Sequence, residues 1–129
     1  MKTKIFCDSA DFKTIKQFNN SSLVQGFTTN PSLMRLSGAK NYKTYSLKIL
    51  KVCKKKPISF EVFGDTFNEM LRQAMVINSW GNNVYVKIPV VNSKGIFSGK
   101  AIKTLSDKKI KLNITAVYTV PQVKKLLGK

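Results

Sequence analysis

Apolar and polar residues alternate along this 129-residue chain with two different periods. Short runs rich in Val, Ile, Phe and Tyr follow the two-residue period of β-strands, and stretches with apolar residues three and four apart separate them. The strand-like runs lie at about residues 4–8, 23–28, 57–63, 84–88 and 110–116. Strands that alternate with helices predict parallel β-α units, so we expect an α/β fold.

The clearest helix is predicted over residues 65–81, "DTFNEMLRQAMVINSWG", where apolar residues recur at the spacing of an amphipathic helix. The residues on the apolar face are Phe67, Met70, Leu71, Ala74 and Met75. Asp65 is expected to cap the start of this helix, and Gly81 suits its end.

Two further helices are indicated nearer the amino terminus. One runs near residues 41–54, where apolar and aromatic side chains share a face. The other begins at "NPS", because Asn30 is a favourable cap and Pro31 suits the first helical position, where no N–H is needed.

The strands repeat one arrangement of faces. Successive side chains point to opposite sides of a strand, so each strand has an apolar face and a second face. The last residue of that second face before the loop is Asp8, Glu61, Lys87 or Thr115. An open doubly wound sheet needs two apolar faces, whereas a (β/α) barrel keeps polar, reactive groups at the carboxyl ends of its strands. The pattern favours a parallel barrel of TIM type.

Lys87 is the most unusual residue in this arrangement, because it interrupts the buried-strand pattern "NVYVKIPVV". The interpretation without a catalytic role is a lysine whose ammonium reaches solvent from a strand end. The alternative is a reactive amine, because desolvation favours the neutral form that attacks a carbonyl to give a Schiff base. Two carboxylates and a hydroxyl at the same level favour the second interpretation.

Composition fits a single domain over residues 1–129, since 43% of the residues are hydrophobic. The formal net charge is +17, which suggests nucleic acid or an anionic membrane as a partner. However, all but Arg35 and Arg72 of the 23 basic residues are lysines, and they are scattered. Because nucleic-acid readers rely on arginine, the charge favours solvated faces, and a basic nucleic-acid-binding protein remains the alternative.

Cys7 and Cys53 form neither a disulfide framework nor a zinc motif, because the chain has no histidine and no Cys-x-x-Cys spacing. No run resembles a signal peptide or a membrane span. These observations predict a reduced, cytoplasmic protein with no membrane association.

Four segments resemble the transaldolase family, including its small fructose-6-phosphate aldolase-like branch. They are "FCDSAD" (6–11), "GFTTNPSLM" (26–34), "VKIP" (86–89) and "NITAVY" (113–118). The resemblance covers essentially the whole chain. It implies an eight-unit (β/α) barrel, class I aldol chemistry with no metal or other cofactor, and sugar phosphate substrates of the pentose phosphate pathway type.

The resemblance also implies a role for each matching residue. Lys87 matches the lysine that forms the imine, and Asp8 matches the acid/base that takes the proton from the C4 hydroxyl. Asn30 would hold a hydroxyl of the three-carbon enamine. Glu61 and Thr115 would position the water needed for imine formation and release.

Two positions leave the branch and the site's lining open. The aldolase-like branch tends to hold glutamine where this chain has Glu61, so the glutamate favours transfer of dihydroxyacetone units over free aldol cleavage. Thr28 and Thr29 either line the substrate site or only turn their strand into the following helix.

Length separates this chain from the family pattern. Only about five of the eight β-α units fit into 129 residues, and the family's usual phosphate-gripping arginine and serines have no counterpart. An incomplete barrel has unpaired edge strands, which predicts association through those edges or a homo-oligomer. The chain is therefore either an enzyme that requires closure by further sequence or another chain, or an inactive remnant.

Overall fold

The computed structural model describes residues 3–129. Five strands alternate with helices, and every strand predicted from the sequence is present within about two residues of its expected bounds. The elements are β1 (Ile5–Asp8), α1 (Phe12–Asn19), β2 (Val24–Thr28), α2 (Pro31–Leu36), α3 (Tyr42–Val52), β3 (Ile58–Glu61), α4 (Phe67–Asn78), β4 (Val84–Pro89), α5 (Gly99–Asp107), β5 (Leu112–Thr115) and α6 (Val120–Leu126).

The strands occur in the sheet in their chain order, β1-β2-β3-β4-β5. The pairs β1–β2, β2–β3 and β4–β5 are parallel. The structure therefore confirms the predicted α/β fold class, an incomplete (β/α) barrel of TIM type with five of the usual eight β-α units.

The first compact unit comprises residues up to 61 together with 80–84. Here β1, β2 and β3 form parallel ladders, and α1 packs against α3 and β2 while α2 packs against α3. Its apolar core consists of Ala10, Ile15, Val24, Phe27, Met34, Ile49, Cys53, Ile58, Phe60 and Val84. Cys7 and Cys53 are both free thiols.

The second compact unit comprises residues 62–79 and 85–129. In this unit β4 and β5 pair in parallel, α4 packs against α5, and α5 packs against β5. Its core consists of Val62, Met70, Ala74, Ile77, Val86, Ile88, Val90, Ala101, Ile102, Leu105 and Ile110. By contrast, α6 has no buried residue.

The predicted starts of α2 and α3 agree with the structure, whereas that of α4 does not. Asn30 caps α2, because its Oδ1 accepts a hydrogen bond from the N–H of Leu33 at 2.9 Å. The expectation that Asp65 caps α4 is wrong, since the cap is Thr66 in a reciprocal capping box with Glu69.

The predicted faces are clearest in β4, where Val84, Val86 and Ile88 are buried and the residues between them are half-buried. The predicted alternation is absent from β5, where all four residues are half-buried. In β1 the prediction of an apolar, covered face is wrong for Ile5, which is exposed. None of the helices in residues 3–129 has the length and apolar character needed to cross a membrane.

Candidate active site

The carboxyl ends of β1 and β2 bring two predicted site residues into contact. Asp8 and Thr28 are the last residues of their strands and are paired in the parallel ladder. The Thr28 hydroxyl donates a hydrogen bond to Oδ1 of Asp8 at 2.7 Å. This hydrogen bond fixes the direction of the Asp8 carboxylate. Asp8 is exposed, so solvent and ligands can reach that carboxylate. Thr28 thus contacts the predicted acid/base directly.

Thr29 has a different role, because it is fully buried. Its main-chain N–H and its hydroxyl both donate to the carbonyl oxygen of Ser59, at 3.2 and 2.8 Å. These two bonds attach the exit of β2 to β3, which fits the interpretation that Thr29 shapes the strand end.

Asn30 follows at once and is half-buried. Its Oδ1 is used by the α2 cap, while its Nδ2 makes no hydrogen bond to any residue in the described range 3–129. The side chain therefore keeps an N–H donor available for a ligand oxygen at the mouth of β2.

Glu61 is the last residue of β3 and is half-buried. Its main chain is held by Tyr42, whose hydroxyl accepts from the Glu61 N–H at 2.9 Å and donates to the Glu61 carbonyl oxygen at 3.2 Å. The sequence pattern identified Tyr42 only as part of a helix face. No local signal indicated this contact, because the two residues are 19 positions apart.

Lys87 and Thr115 belong to the second unit. Lys87 is half-buried on the face of β4 opposite Val86 and Ile88, as predicted. Its ladder partner on β5 is Asn113, and its carbonyl oxygen accepts from the Val62 N–H at 3.1 Å. Thr115, the last residue of β5, is paired with Pro89, two positions beyond the lysine.

A cavity of about 230 Å³ lies in the second unit, close to the starts of α4 and α5. It is lined by Asp65, Phe67, Met70, Asn92, Ile96, Phe97, Ser98, Lys100 and Ala101. None of the predicted site residues is in this lining. Asp65 faces the loop after β4, where its carboxylate accepts from the hydroxyl and the N–H of Ser93 at 2.6 and 2.7 Å. Those hydrogen bonds lower the pKa of Asp65.

Within each unit, the predicted site residues lie at or near the carboxyl ends of their strands. Asp8, Thr28, Glu61 and Thr115 each end a strand, and Lys87 lies two residues before the end of β4. A carboxylate that accepts a hydroxyl proton can act in general acid–base catalysis, and a lysine amine can form an imine with a carbonyl compound.

Comparison with known proteins gives a consistent family. A family model described as "Transaldolase/Fructose-6-phosphate aldolase" matches residues 5–128. A "Probable transaldolase" of Streptococcus equi subsp. zooepidemicus (strain MGCS10565) is 39% identical over 119 residues, which cover 92% of this chain and 53% of the relative.

Two other relatives agree. A "Probable transaldolase" of Herpetosiphon aurantiacus is 34% identical over 92% of this chain and 51% of its own length. "Probable transaldolase 2" of Listeria monocytogenes is 36% identical over 92% of this chain and 52% of its own length. The chain spans about half the length of the curated relatives it matches. Its sequence and its β-α units together place it in the transaldolase/fructose-6-phosphate aldolase family.

Proposed function

We propose that this chain carries the covalent chemistry of a Schiff-base transaldolase, which transfers a dihydroxyacetone unit between sugar phosphates in carbohydrate metabolism of the pentose phosphate type. The observation that carries the proposal is the position of Lys87, half-buried near the carboxyl end of β4 on the face opposite Val86 and Ile88. In a parallel (β/α) barrel, that end of the strands holds the reacting groups.

The proposed reaction begins when the amine of Lys87 adds to the C2 carbonyl of a ketose phosphate, and loss of water leaves an iminium. Asp8 takes the proton of the C4 hydroxyl while the C3–C4 bond breaks and its electrons move into the iminium. An aldose phosphate leaves, and the three-carbon unit stays on the lysine as an enamine.

The enamine carbon then attacks the carbonyl of an acceptor aldose phosphate, whose oxygen takes the proton back from Asp8. Water hydrolyses the new iminium and releases the product and the free amine. Glu61 and Thr115 position that water, and the Nδ2 of Asn30 donates to a hydroxyl of the bound three-carbon unit.

The alternative is a fructose-6-phosphate aldolase-like reaction, in which a proton rather than an aldehyde captures the enamine and dihydroxyacetone is released. Glu61 favours transfer, because glutamine is the residue expected in the aldolase-like branch. A cytoplasmic location is part of the proposal and is compatible with the free thiols of Cys7 and Cys53.

Chemical trapping tests the proposal. Borohydride reduction in the presence of fructose 6-phosphate should attach a three-carbon adduct to the peptide that contains Lys87. Lys87→Met should abolish the adduct, because methionine keeps the length of the side chain and removes the amine.

Lys111→Met is the matched control, since Lys111 immediately precedes β5 and so belongs to the amino end of the neighbouring strand. This variant should be labelled like the wild type. A folded wild-type chain that forms no adduct, or an adduct that survives in Lys87→Met, would refute the assignment.

A further inference from the structure

The ladder between β2 and β3 ends before the predicted catalytic carboxylate is reached. The N–H of Phe27 donates to the carbonyl of Pro57 at 2.8 Å, and the N–H of Thr29 donates to that of Ser59 at 3.2 Å. The next rung would involve Glu61, but the chain leaves β2 at this point, because Asn30 caps the start of α2.

Glu61 nevertheless has main-chain groups directed to the β2 side. Alternate residues of a parallel strand bond to the same neighbour, so Glu61 faces the side on which Ser59 meets Thr29, while Ile58 donates on the other side to the carbonyl of Asn83. Buried main-chain groups of this kind are hydrogen-bonded in nearly all folded proteins.

Tyr42 supplies the missing rung. Its hydroxyl accepts a hydrogen bond from the N–H of Glu61 and donates one to the carbonyl of the same residue. A neighbouring strand would make these two bonds with two of its peptide groups. Burial raises the pKa of Tyr42, and this effect outweighs the hydrogen bonds with Glu61 and Thr29 that lower it. The phenol therefore stays protonated and can donate and accept at once.

The ring that carries this hydroxyl is itself held in place. Tyr42 is the first residue of α3, which is capped by Asn41 through a 2.9 Å bond to the N–H of Thr44. The Tyr42 ring lies 6.0 Å from the Trp80 ring, which in turn meets Phe60 edge-on at 5.7 Å. These aromatic contacts limit the movement of the phenol, so its oxygen is a fixed point for the end of β3.

We infer that Tyr42 is a positioning residue for the carboxylate of Glu61. The inference rests on the proposed function, in which Glu61 orients the water of imine formation and release. By fixing both peptide groups of Glu61, the phenol fixes the backbone torsions that direct its side chain. Tyr42 does not itself contact the reacting atoms in this scheme, and it acts only through the strand end.

Tyr42→Phe tests the inference, because phenylalanine keeps the ring contact with Trp80 and removes only the hydroxyl. Tyr45→Phe is the matched control: Tyr45 lies on the same helix, is also half-buried, and donates to main-chain carbonyls of Ala10 and Ser37 at 3.0 and 3.2 Å. Two quantities are measured in the full chain: the rate of borohydride-trapped imine formation with fructose 6-phosphate, and the amide hydrogen exchange of Glu61.

Tyr42→Phe should slow imine formation at saturating sugar about tenfold, because small displacements of a positioning group are costly. The sugar concentration that gives half the maximal rate should change little. Amide exchange at Glu61 should become about tenfold faster. Tyr45→Phe should leave both quantities within about twofold of the wild type, even if it loses comparable stability.

Equal imine rates in the two variants, together with unchanged exchange at Glu61, would overturn the inference. Faster exchange with an unchanged imine rate would overturn it too, because the rung would then be structural only. If the wild type forms no imine, the proposed function fails, and exchange at Glu61 alone decides whether Tyr42 holds the strand end.

Discussion

At the scale of single residues, lysines differ in their contacts although they count equally in the composition. Lys56 is half-buried, and its ammonium donates to the carbonyls of Phe18, Ser21 and Val24 at 3.1, 2.6 and 2.5 Å. Those carbonyls lie where α1 ends and β2 begins. One cation therefore closes the connection between a helix and the next strand, a role that no periodicity reveals.

Lys56→Met should lower the free energy of unfolding by about 1–3 kcal/mol, because the carbonyls lose a charged donor while the aliphatic stem is retained. Urea unfolding followed by circular dichroism measures the change. Lys55→Met is the control, since Lys55 is exposed and its replacement should alter stability by less than about 0.5 kcal/mol. Equal effects of the two substitutions would contradict the role of Lys56.

At the scale of elements, carboxylates stabilise helix starts in both units. Asp11 caps α1 and accepts from the hydroxyl and the N–H of Thr14 at 2.7 and 2.8 Å. Glu69 accepts from the N–H and the hydroxyl of Thr66 at 3.0 and 2.9 Å. Hydrogen bonds with Thr14 and with Thr66 lower the pKa values of Asp11 and Glu69, respectively.

The lowered pKa values predict a loss of stability in acid. A carboxyl whose folded pKa lies below its unfolded value contributes stability above about pH 5, and this is lost as pH falls through the folded pKa. Glu69→Gln should therefore reduce the difference between the unfolding free energies measured at about pH 6 and about pH 3.

Asp107→Asn controls for net charge. It also removes one negative charge, but at the carboxyl-terminal end of α5, where the carboxylate pairs with Lys103. Identical acid dependence in the wild type and in Glu69→Gln would show that the capping box makes no contribution that depends on ionisation.

Local patterns predicted the elements well because each element follows from periodicity and capping chemistry within a few residues. For this reason the sequence could predict the Asn30 cap and the face of β4 on which Lys87 lies. Asp65 was misassigned because its partner, Ser93, is 28 residues away. The contact between Tyr42 and Glu61 was missed for the same reason: it exists only after helix and strand have packed.

At the scale of the whole molecule, apolar side chains remain exposed at the carboxyl-terminal end. Tyr118, Val120, Val123 and Leu127 are exposed, and within residues 3–129 the strand order places β5 beside β4 at the end of the sheet. An edge strand beside exposed apolar residues favours association. We propose that, in the 129-residue chain on its own, a second copy covers β5 and α6; further sequence would cover the same surface in a longer protein.

Val123→Glu should convert a self-associating chain to monomer in sedimentation experiments, since Val123 is 47% exposed on α6. Leu36→Glu is the control, because Leu36 is 85% exposed on α2 and lies outside this surface. Added salt should strengthen the association by screening the net charge of +17. A monomeric wild type at high salt would rule out this surface as a self-interface.

The phenol rung at Glu61 makes the spacing between two elements a determinant of function. Residues 37–41 connect α2 to Tyr42. An insertion or deletion in this connection would move the phenol oxygen away from Glu61 at the end of β3. Loop grafts in this connection should therefore disturb the carboxylate of β3, whereas grafts of equal size after Lys94, where Gly95 turns the chain with a positive φ, leave that oxygen untouched.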